Sequence, residues 1–231
     1  ACLAPLRCFD PYIDHGSNAA LLPNGDLLLS AAGPTGGEEL WRSDGTPGGT
    51  TLVADLRPGE IGSQPMHFAR LGAEVVFTAG NGAGEASLYR SDGTTPGASP
   101  YPSFGPWAGD GARYYFSGSD AVHGLEPWVF DGLTAQLLAD VVPGPTSSLD
   151  ADIFHRAFFA VLGGVLVFAA DDGVNGEEIW RSDGTGPGTY RLSDLGPGPD
   201  PMAIVMWDGW HRPSVIDDQL YFFEEQSPEG Y

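Results

Sequence analysis

An internal repeat constrains the fold of this chain more than any other feature of its sequence. Related segments begin at Glu38, Ala86, Leu125 and Glu177 and read EELWRSDGTPGGT, ASLYRSDGTTPGA, LEPWVFDGLTAQL and EEIWRSDGTGPGT. An apolar run of strand length precedes each copy, at residues 26–32, 74–79, 113–118 and 165–170, and a fifth run lies at 219–223. Repeats of this length indicate an array of similar supersecondary units that stack on one another.

Each repeated unit is predicted to contain four strands. In the second unit these are Met66–Leu71, residues 74–79 and Ala86–Ser91, followed after an Asp-Gly-Thr turn by an irregular fourth strand. The fourth strand of the first unit is clearer, at residues 50–56. Apolar runs bounded by Gly, Asp and Pro are typical of antiparallel hairpins. The one long connection in a unit, such as residues 57–65, leads to the next unit, and this strand order predicts an all-β fold, the β-propeller.

Five runs of the second-strand type predict a five-bladed β-propeller in one domain. The chain ends eight residues after the fifth run, so only the first two strands of the last blade lie at the carboxyl end. Residues 3–14 align with residues 51–62, and we therefore expect the amino terminus to supply the outer strand. Blade 5 is then shared between residues 1–14 and 203–231, and the ring is closed by pairing of the N- and C-terminal strands.

The repeated octapeptide carries a resemblance to a known family. The most regular copies are ELWRSDGT at residues 39–46 and EIWRSDGT at 178–185, with weaker copies at 88–94 and 126–133. They resemble the ELWxxDGT repeat family of secreted bacterial proteins of propeller type, and the resemblance covers nearly all of residues 1–231. It implies a propeller fold, but it implies no single activity because unrelated functions occur on one fold.

The charge of the chain excludes several classes of function. The formal net charge is -21, and none of the ten basic residues is lysine. Nucleic-acid binding needs clustered cations, and an anionic membrane surface would repel this chain. Schiff-base chemistry and a Walker-type phosphate loop both require lysine. Membrane insertion is not expected either, since the longest apolar run, residues 157–170, is too short for a bilayer.

The two cysteines point to an oxidising compartment. Cys2 and Cys8 lie close together, and a disulfide between them would close a short loop. A free pair or a thiolate metal site is the alternative. The first residue is Ala rather than Met, as in a mature product after signal cleavage, so a secreted or periplasmic location is expected. The third strand of blade 5 has no clear candidate: either that blade has three strands or the segment around Cys2 fills the gap.

Four of the five histidines fall at a similar place in the repeat. They lie 10 to 14 residues before the aligned residue of the second strand: His15, His67, His155 and His211. In a propeller this place is the start of the strand that lines the central channel. Imidazoles from several blades would then converge at the axis, where their nitrogens suit copper, iron or zinc. Further ligands, or hydrogen-bond partners for the imidazoles, are available nearby in sequence: Asp10, Asp14, Asp152 and Asp208.

Two alternatives to this metal site remain open. The spacings differ in parity, and side chains alternate across a regular strand, so the histidines are also compatible with scattered structural roles. Calcium is the second alternative, with oxygen ligands at Asp171, Asp172, Asn175 and Asp183, although their spacing matches no EF-hand. The Asp of each Asp-Gly-Thr turn is explained as well by hydrogen bonds to its own backbone.

The tryptophans divide into two groups. One aromatic recurs at the same repeat position and is predicted to pack between sheets: Trp41, Tyr89, Trp128 and Trp180. Three others lie outside that position, and with Asp208 they are candidates for binding a sugar or a peptide: Trp107, Trp207 and Trp210.

Three hypotheses for function follow from these residues. The first is a metal-binding propeller with histidine ligands, which becomes a metalloenzyme for a small molecule or peptide if a coordination position stays open. The second is a binding module without catalysis, lectin-like or protein-binding, and the third is an adhesive repeat module of a larger surface protein. Catalytic residues are unknown, since no Gly-x-Ser-x-Gly or His-Glu-x-x-His motif occurs. A monomer is expected.

Overall fold

The described part of the chain is built from antiparallel sheets. A computed structural model describes residues 18–33, 36–80, 86–102, 104–149, 158–194, 214–216 and 219–221. These residues contain eighteen strands and no helix, and hence no helix that is long and apolar enough to cross a membrane. The chain divides into two compact units, Ala1–Ser103 and Phe104–Tyr231.

The first unit contains two four-stranded sheets. The first sheet consists of β1 (Ala19–Leu21), β2 (Leu27–Ala32), β3 (Glu38–Ser43) and β4 (Thr51–Ala54). The second consists of β5 (Met66–Leu71), β6 (Glu74–Gly80), β7 (Ala86–Ser91) and β8 (Gly97–Pro102). In both, each strand pairs with its neighbour in the chain.

The second unit contains two further four-stranded sheets and one pair of strands. The third sheet is β9 (Phe104–Gly109), β10 (Tyr114–Gly118), β11 (Glu126–Phe130) and β12 (Ala135–Leu137). The fourth is β13 (Phe159–Leu162), β14 (Val165–Asp171), β15 (Glu177–Ser182) and β16 (Tyr190–Arg191). The pair is β17 (Ser214–Ile216) and β18 (Gln219–Tyr221). Each of the four-stranded sheets has its strands in sequential order, which is the topology predicted for one repeat.

The number of blades and the closure of the ring stay predictions. Within the described residues the fifth sheet has two strands, and no sheet closes on itself. Residues 1–14, which are predicted to complete it, lie outside the described residues, as do Cys2 and Cys8.

One connection differs from the prediction. A long connection separates the first sheet from the second, but β8 ends at Pro102 and β9 begins at Phe104, so a single residue joins the second sheet to the third. The irregular fourth strand of the second sheet, β8, therefore leads directly into β9, the first strand of the third sheet.

The second strand of each four-stranded sheet is almost entirely buried, because it lies inside its sheet. In β6, the five residues from Val75 to Ala79 are all buried. Within the first unit, Leu28 and Leu40 of the first sheet belong to one apolar cluster with Phe77 of the second. Burial of such side chains contributes about 1.5–3 kcal/mol each. An apolar run without alternation is the expected sequence for such a strand.

The repeated aromatics occupy one register position in all four sheets. The pairs across the second and third strands are Leu29 with Trp41, Phe77 with Tyr89, Phe116 with Trp128 and Phe168 with Trp180. The rings of Phe77 and Tyr89 stack with centroids 5.6 Å apart. Trp41 and Trp128 are buried, which confirms the predicted core role of this position.

Each Asp-Gly-Thr turn is closed by its own side chains. Asp44 Oδ1 accepts hydrogen bonds from the backbone N–H of Thr46 at 2.8 Å and from its hydroxyl at 2.7 Å. Asp92 with Thr94, and Asp183 with Thr185, make the same pair of bonds. The threonine bonds lower the pKa of all three carboxyls.

These turns predict a loss of stability in acid. A carboxyl whose pKa is lowered on folding stabilises the folded state above its unfolded pKa of 3.8, and this contribution disappears as the pH falls through the folded pKa. We expect the midpoint temperature of thermal unfolding to decrease when the pH is lowered below about 4. In a Thr46→Val, Thr94→Val, Thr185→Val variant the fall should be shallower, as measured by thermal unfolding at several pH values. An unchanged pH profile in that variant would contradict the assignment.

Candidate functional site

In each four-stranded sheet, the candidate region is the end at which the first strand begins. In an antiparallel four-stranded sheet, the start of the first strand, the hairpin between the second and third strands, and the exit of the fourth strand share one end. Direct contacts agree: Glu38, after the β2–β3 hairpin, bridges to Gly62 in the connection that leads to β5. The predicted ligand His67 lies at this end of the second sheet.

His67 has an unusual backbone conformation. The register between β5 and β6 shifts between Met66 and Ala69, which marks a β-bulge. His67 has a φ of 59° and Gln64 a φ of 49°, and among the described residues these are the two that are not glycine and have a positive φ. Residues other than glycine rarely adopt this left-handed backbone conformation, and such strain concentrates at functional sites.

The His67 ring is oriented by a buried hydroxyl. Its Nδ1 lies 3.0 Å from Oγ1 of Thr78, and that hydroxyl donates to the backbone carbonyl of Met66 at 3.3 Å. Thr78 is 1% exposed. The contact between Nδ1 and this hydroxyl holds the ring in one orientation, as hydrogen-bond partners do for metal-ligating histidines.

The other predicted histidine ligands lie outside the described residues: His15, His155 and His211. Their distance along the chain from the sheets can still be compared. His15 precedes Ala19 by four residues, and His155 precedes Phe159 by four; Ala19 and Phe159 pair with equivalent second-strand residues. His67, by contrast, lies on the bulge inside β5. His67 thus lies within its first strand, whereas His15 and His155 each precede the first strand of their sheet by four residues in the sequence.

No metal centre is complete within the described residues. These residues contain no group of three or more His, Cys, Asp or Glu side chains that is arranged to hold a metal ion. Of the calcium candidates, Asp172 accepts from the backbone N–H groups of Val174 and Asn175 and from the Asn175 amide. Asp183 is bonded to Thr185. These carboxylates close turns, and the calcium alternative stays a prediction.

Trp107 is part of a stacked group rather than an isolated surface ring. It is half-buried in β9, pairs with Phe116, and stacks on Tyr114 with centroids 6.0 Å apart and planes at 10°. The other candidates for ligand binding, Trp207, Asp208 and Trp210, lie outside the described residues. Trp107 is therefore oriented by its neighbours in the third sheet.

Sequence reasoning missed a role for the glutamate that begins the repeat. Glu39 is 6% exposed, and its carboxylate accepts backbone N–H groups of Leu56 and Ser63, each at 2.9 Å, and the Ser63 hydroxyl at 2.5 Å. A longer bond comes from Arg57 N–H at 3.3 Å. One buried carboxylate therefore holds both ends of the connection from the first sheet to the second.

The third and fourth sheets repeat this carboxylate contact. Glu126 accepts the Ser148 hydroxyl at 2.5 Å and the backbone N–H groups of Val141 and Ser148, and its burial raises its pKa. Glu178 accepts the Ser193 hydroxyl at 2.5 Å. The second sheet has Ser87 at the equivalent register position. The signal in the sequence was the glutamate together with a serine in the following connection.

Comparisons with known proteins give only distant structural similarity. No family model matches the chain, and no curated protein matches it in sequence. TolB from Acinetobacter baumannii has a TM-score of 0.46 at 16% identity, over 82% of this chain and 46% of that one. A gluconolactonase from Xanthomonas campestris has a TM-score of 0.42 at 16% identity, over 78% and 62%. The SapL1 lectin, in complex with alpha methyl fucoside, has a TM-score of 0.39 at 16% identity, over 80% and 66%. The chain thus spans between 46 and 66% of the length of these three proteins, and such values assign neither a family nor an activity.

Proposed function

We propose that the chain is a five-bladed β-propeller of the ELWxxDGT-repeat type that binds a transition metal where its first strands begin. Copper, iron or zinc is held by imidazoles of His15, His67, His155 and His211. The protein acts in the periplasm or outside the cell, and an open coordination position would allow it to act on a small molecule or peptide.

The propeller part of the proposal is supported by the repetition of one sheet. Four successive four-stranded sheets share one topology and one register of their second and third strands. The fifth sheet has only its first two strands within the described residues, β17 and β18. An outer strand from residues 1–14 would complete it and close the ring, as the sequence alignment predicts.

The observation that carries the metal proposal is the conformation of His67. Its left-handed backbone is unfavourable for a residue with a side chain, by about 1–2 kcal/mol. Its Nδ1 lies within hydrogen-bonding distance of the buried Thr78 hydroxyl, which orients the ring as partner groups orient metal-ligating histidines.

Metal content tests this proposal. Untagged protein, purified and then reconstituted with copper, iron or zinc, should contain about one equivalent by mass spectrometry. His67→Asn removes the imidazole but keeps a residue that tolerates a positive φ, so the fold should be retained while metal affinity falls. Thr78→Val should weaken metal binding by about 10–100-fold through loss of ring orientation.

A matched control separates ligand loss from a general effect of removing a histidine. His123→Asn changes a histidine that is not a proposed ligand, in the hairpin between β10 and β11, and should leave the metal content unchanged. A parent protein without bound metal after reconstitution would overturn the proposal. In that case binding to a glycan or peptide array, with Trp107→Ala, Trp207→Ala and Trp210→Ala as variants, would support the binding-module alternative.

A further inference from the structure

A histidine that is not among the proposed metal ligands is held between carboxylates from two segments. His123 lies in the hairpin of residues 120–124, between β10 and β11. Oδ1 of Asp120 accepts the backbone N–H groups of Val122 at 2.8 Å and of His123 at 2.7 Å. The ring Nδ1 of His123 lies 2.9 Å from both oxygens of the same carboxylate.

The second ring nitrogen faces another part of the sheet. Nε2 of His123 is 3.9 Å from Oδ2 of Asp140, in the segment that follows β12. A carboxylate only accepts, so the proton of the neutral ring is on Nδ1 and a lone pair on Nε2 faces Asp140. When the ring takes up a proton, both nitrogens carry N–H groups directed at carboxylates. Attraction between Nε2 and Asp140 thus exists only in the protonated state.

We propose that His123 is a pH-dependent tether, which adds an ion pair between the β10–β11 hairpin and the segment after β12 when it is protonated and loses that ion pair when Nε2 loses its proton. The carboxylates that face the ring are Asp120 of the hairpin, Asp140 after β12 and Glu126 of β11. The tether acts beside the connection to the fourth sheet, because Gly124 N–H donates to the Gly144 carbonyl and Leu125 N–H to Ser147 Oγ.

The charges around the ring favour its protonated form. The hydrogen bond to Asp120 raises the pKa of His123 above the ordinary value of 6.5, partial burial opposes this, and the charges of Asp120, Asp140 and Glu126 raise it further. Hydrogen bonds from the His123 backbone N–H, the His123 ring and the Val122 N–H lower the pKa of Asp120 to about 2. Its carboxylate therefore stays ionised while His123 titrates. A pKa raised on folding stabilises the folded state below the unfolded pKa, and this contribution is lost as the pH rises through the folded pKa.

The fourth sheet contains a matched hairpin with asparagine in place of the histidine. In residues 172–176, Asp172 Oδ1 accepts the N–H groups of Val174 at 3.0 Å and Asn175 at 2.8 Å, which is the backbone arrangement around Asp120. Asn175 Nδ2 donates to Asp172 Oδ2 at 2.7 Å, in the place of the His123 ring. The chain therefore shows that asparagine preserves this turn, and it supplies both a substitution and an internal reference.

Hydrogen exchange and an NMR titration test the tether on the full chain. After correction for intrinsic rates, amides of the 120–124 hairpin should exchange about threefold faster or more at about pH 8.5 than at about pH 5.5. The 172–176 hairpin should show no such difference. His123→Asn should abolish the difference and leave the hairpin protected at both pH values, and Asp140→Asn should reduce it.

Two results would overturn the inference. One is a His123 pKa at or below 6.5 in the titration of the parent protein, or a pKa that does not fall in Asp140→Asn. The other is an equal pH effect on hairpin exchange in His123→Asn, which would assign the effect to other groups. Both readouts are independent of metal binding, so the proposed metal site is tested separately.

Discussion

We expect the Glu39→Ala variant to lose about 3–5 kcal/mol of its free energy of unfolding. The substitution leaves the backbone N–H of Leu56 and the Ser63 hydroxyl without the carboxylate that accepts them, while the Ser63 N–H keeps only its bond to the Glu38 carbonyl. Buried donors without an acceptor are unfavourable because they have given up water for no new partner. Chemical denaturation of the parent and the variant gives the difference directly.

The second sheet supplies the control for this prediction. Ser87 occupies the register position of Glu39, and Ser87→Ala should change the free energy of unfolding by less than about 1 kcal/mol. Glu39→Gln is also informative, because its amide group would direct N–H donors at other donors. Equal losses in Glu39→Ala and Ser87→Ala would show that the carboxylate is not what holds the connection.

The second large effect is expected from Gly62→Ala, with a loss of about 3 kcal/mol in the free energy of unfolding. Gly62 has a φ of 69°, and a Cβ atom there would lie 2.4 Å from the backbone nitrogen of Glu38. The contact is with backbone, which cannot move aside as a flexible side chain can. The connection would have to separate from the hairpin beside β3.

Gly48→Ala is the matched substitution. A Cβ atom at Gly48 meets nothing within 4 Å, and its φ is not in the left-handed region. We expect its midpoint in thermal unfolding to remain that of the parent, or to rise slightly because the unfolded chain loses entropy. Similar losses for the two glycines would contradict the close approach at Gly62.

The strands were predictable from sequence because local chemistry and tertiary packing agree in the repeat. The first and third strands of the second sheet, β5 and β7, have the predicted bounds, and β6 extends one residue further. An apolar run between turn residues has few other ways to bury itself. The repeated aromatic also identified its own register position, since in every four-stranded sheet it pairs with the equivalent apolar residue of the second strand.

The candidate site was harder to predict, for physical reasons. The bulge at His67 is a register shift between two strands, and a spacing counted along one strand cannot show it. The contacts of Glu39 join residues 24 apart in sequence, so they depend on the path of a connection without regular structure.

The buried glutamate and the long connection occur together. Glu39 and Glu126 each bind an extended connecting segment, whereas the second sheet has Ser87 and passes to the third through one residue. Connecting segments without strand partners expose N–H groups that need acceptors. A unit that gains such a segment therefore needs the acid, and a unit without it avoids the desolvation of a charge. When such units duplicate and diverge, the buried glutamate and the long connection would be gained or lost together. A unit grafted into another protein would need both.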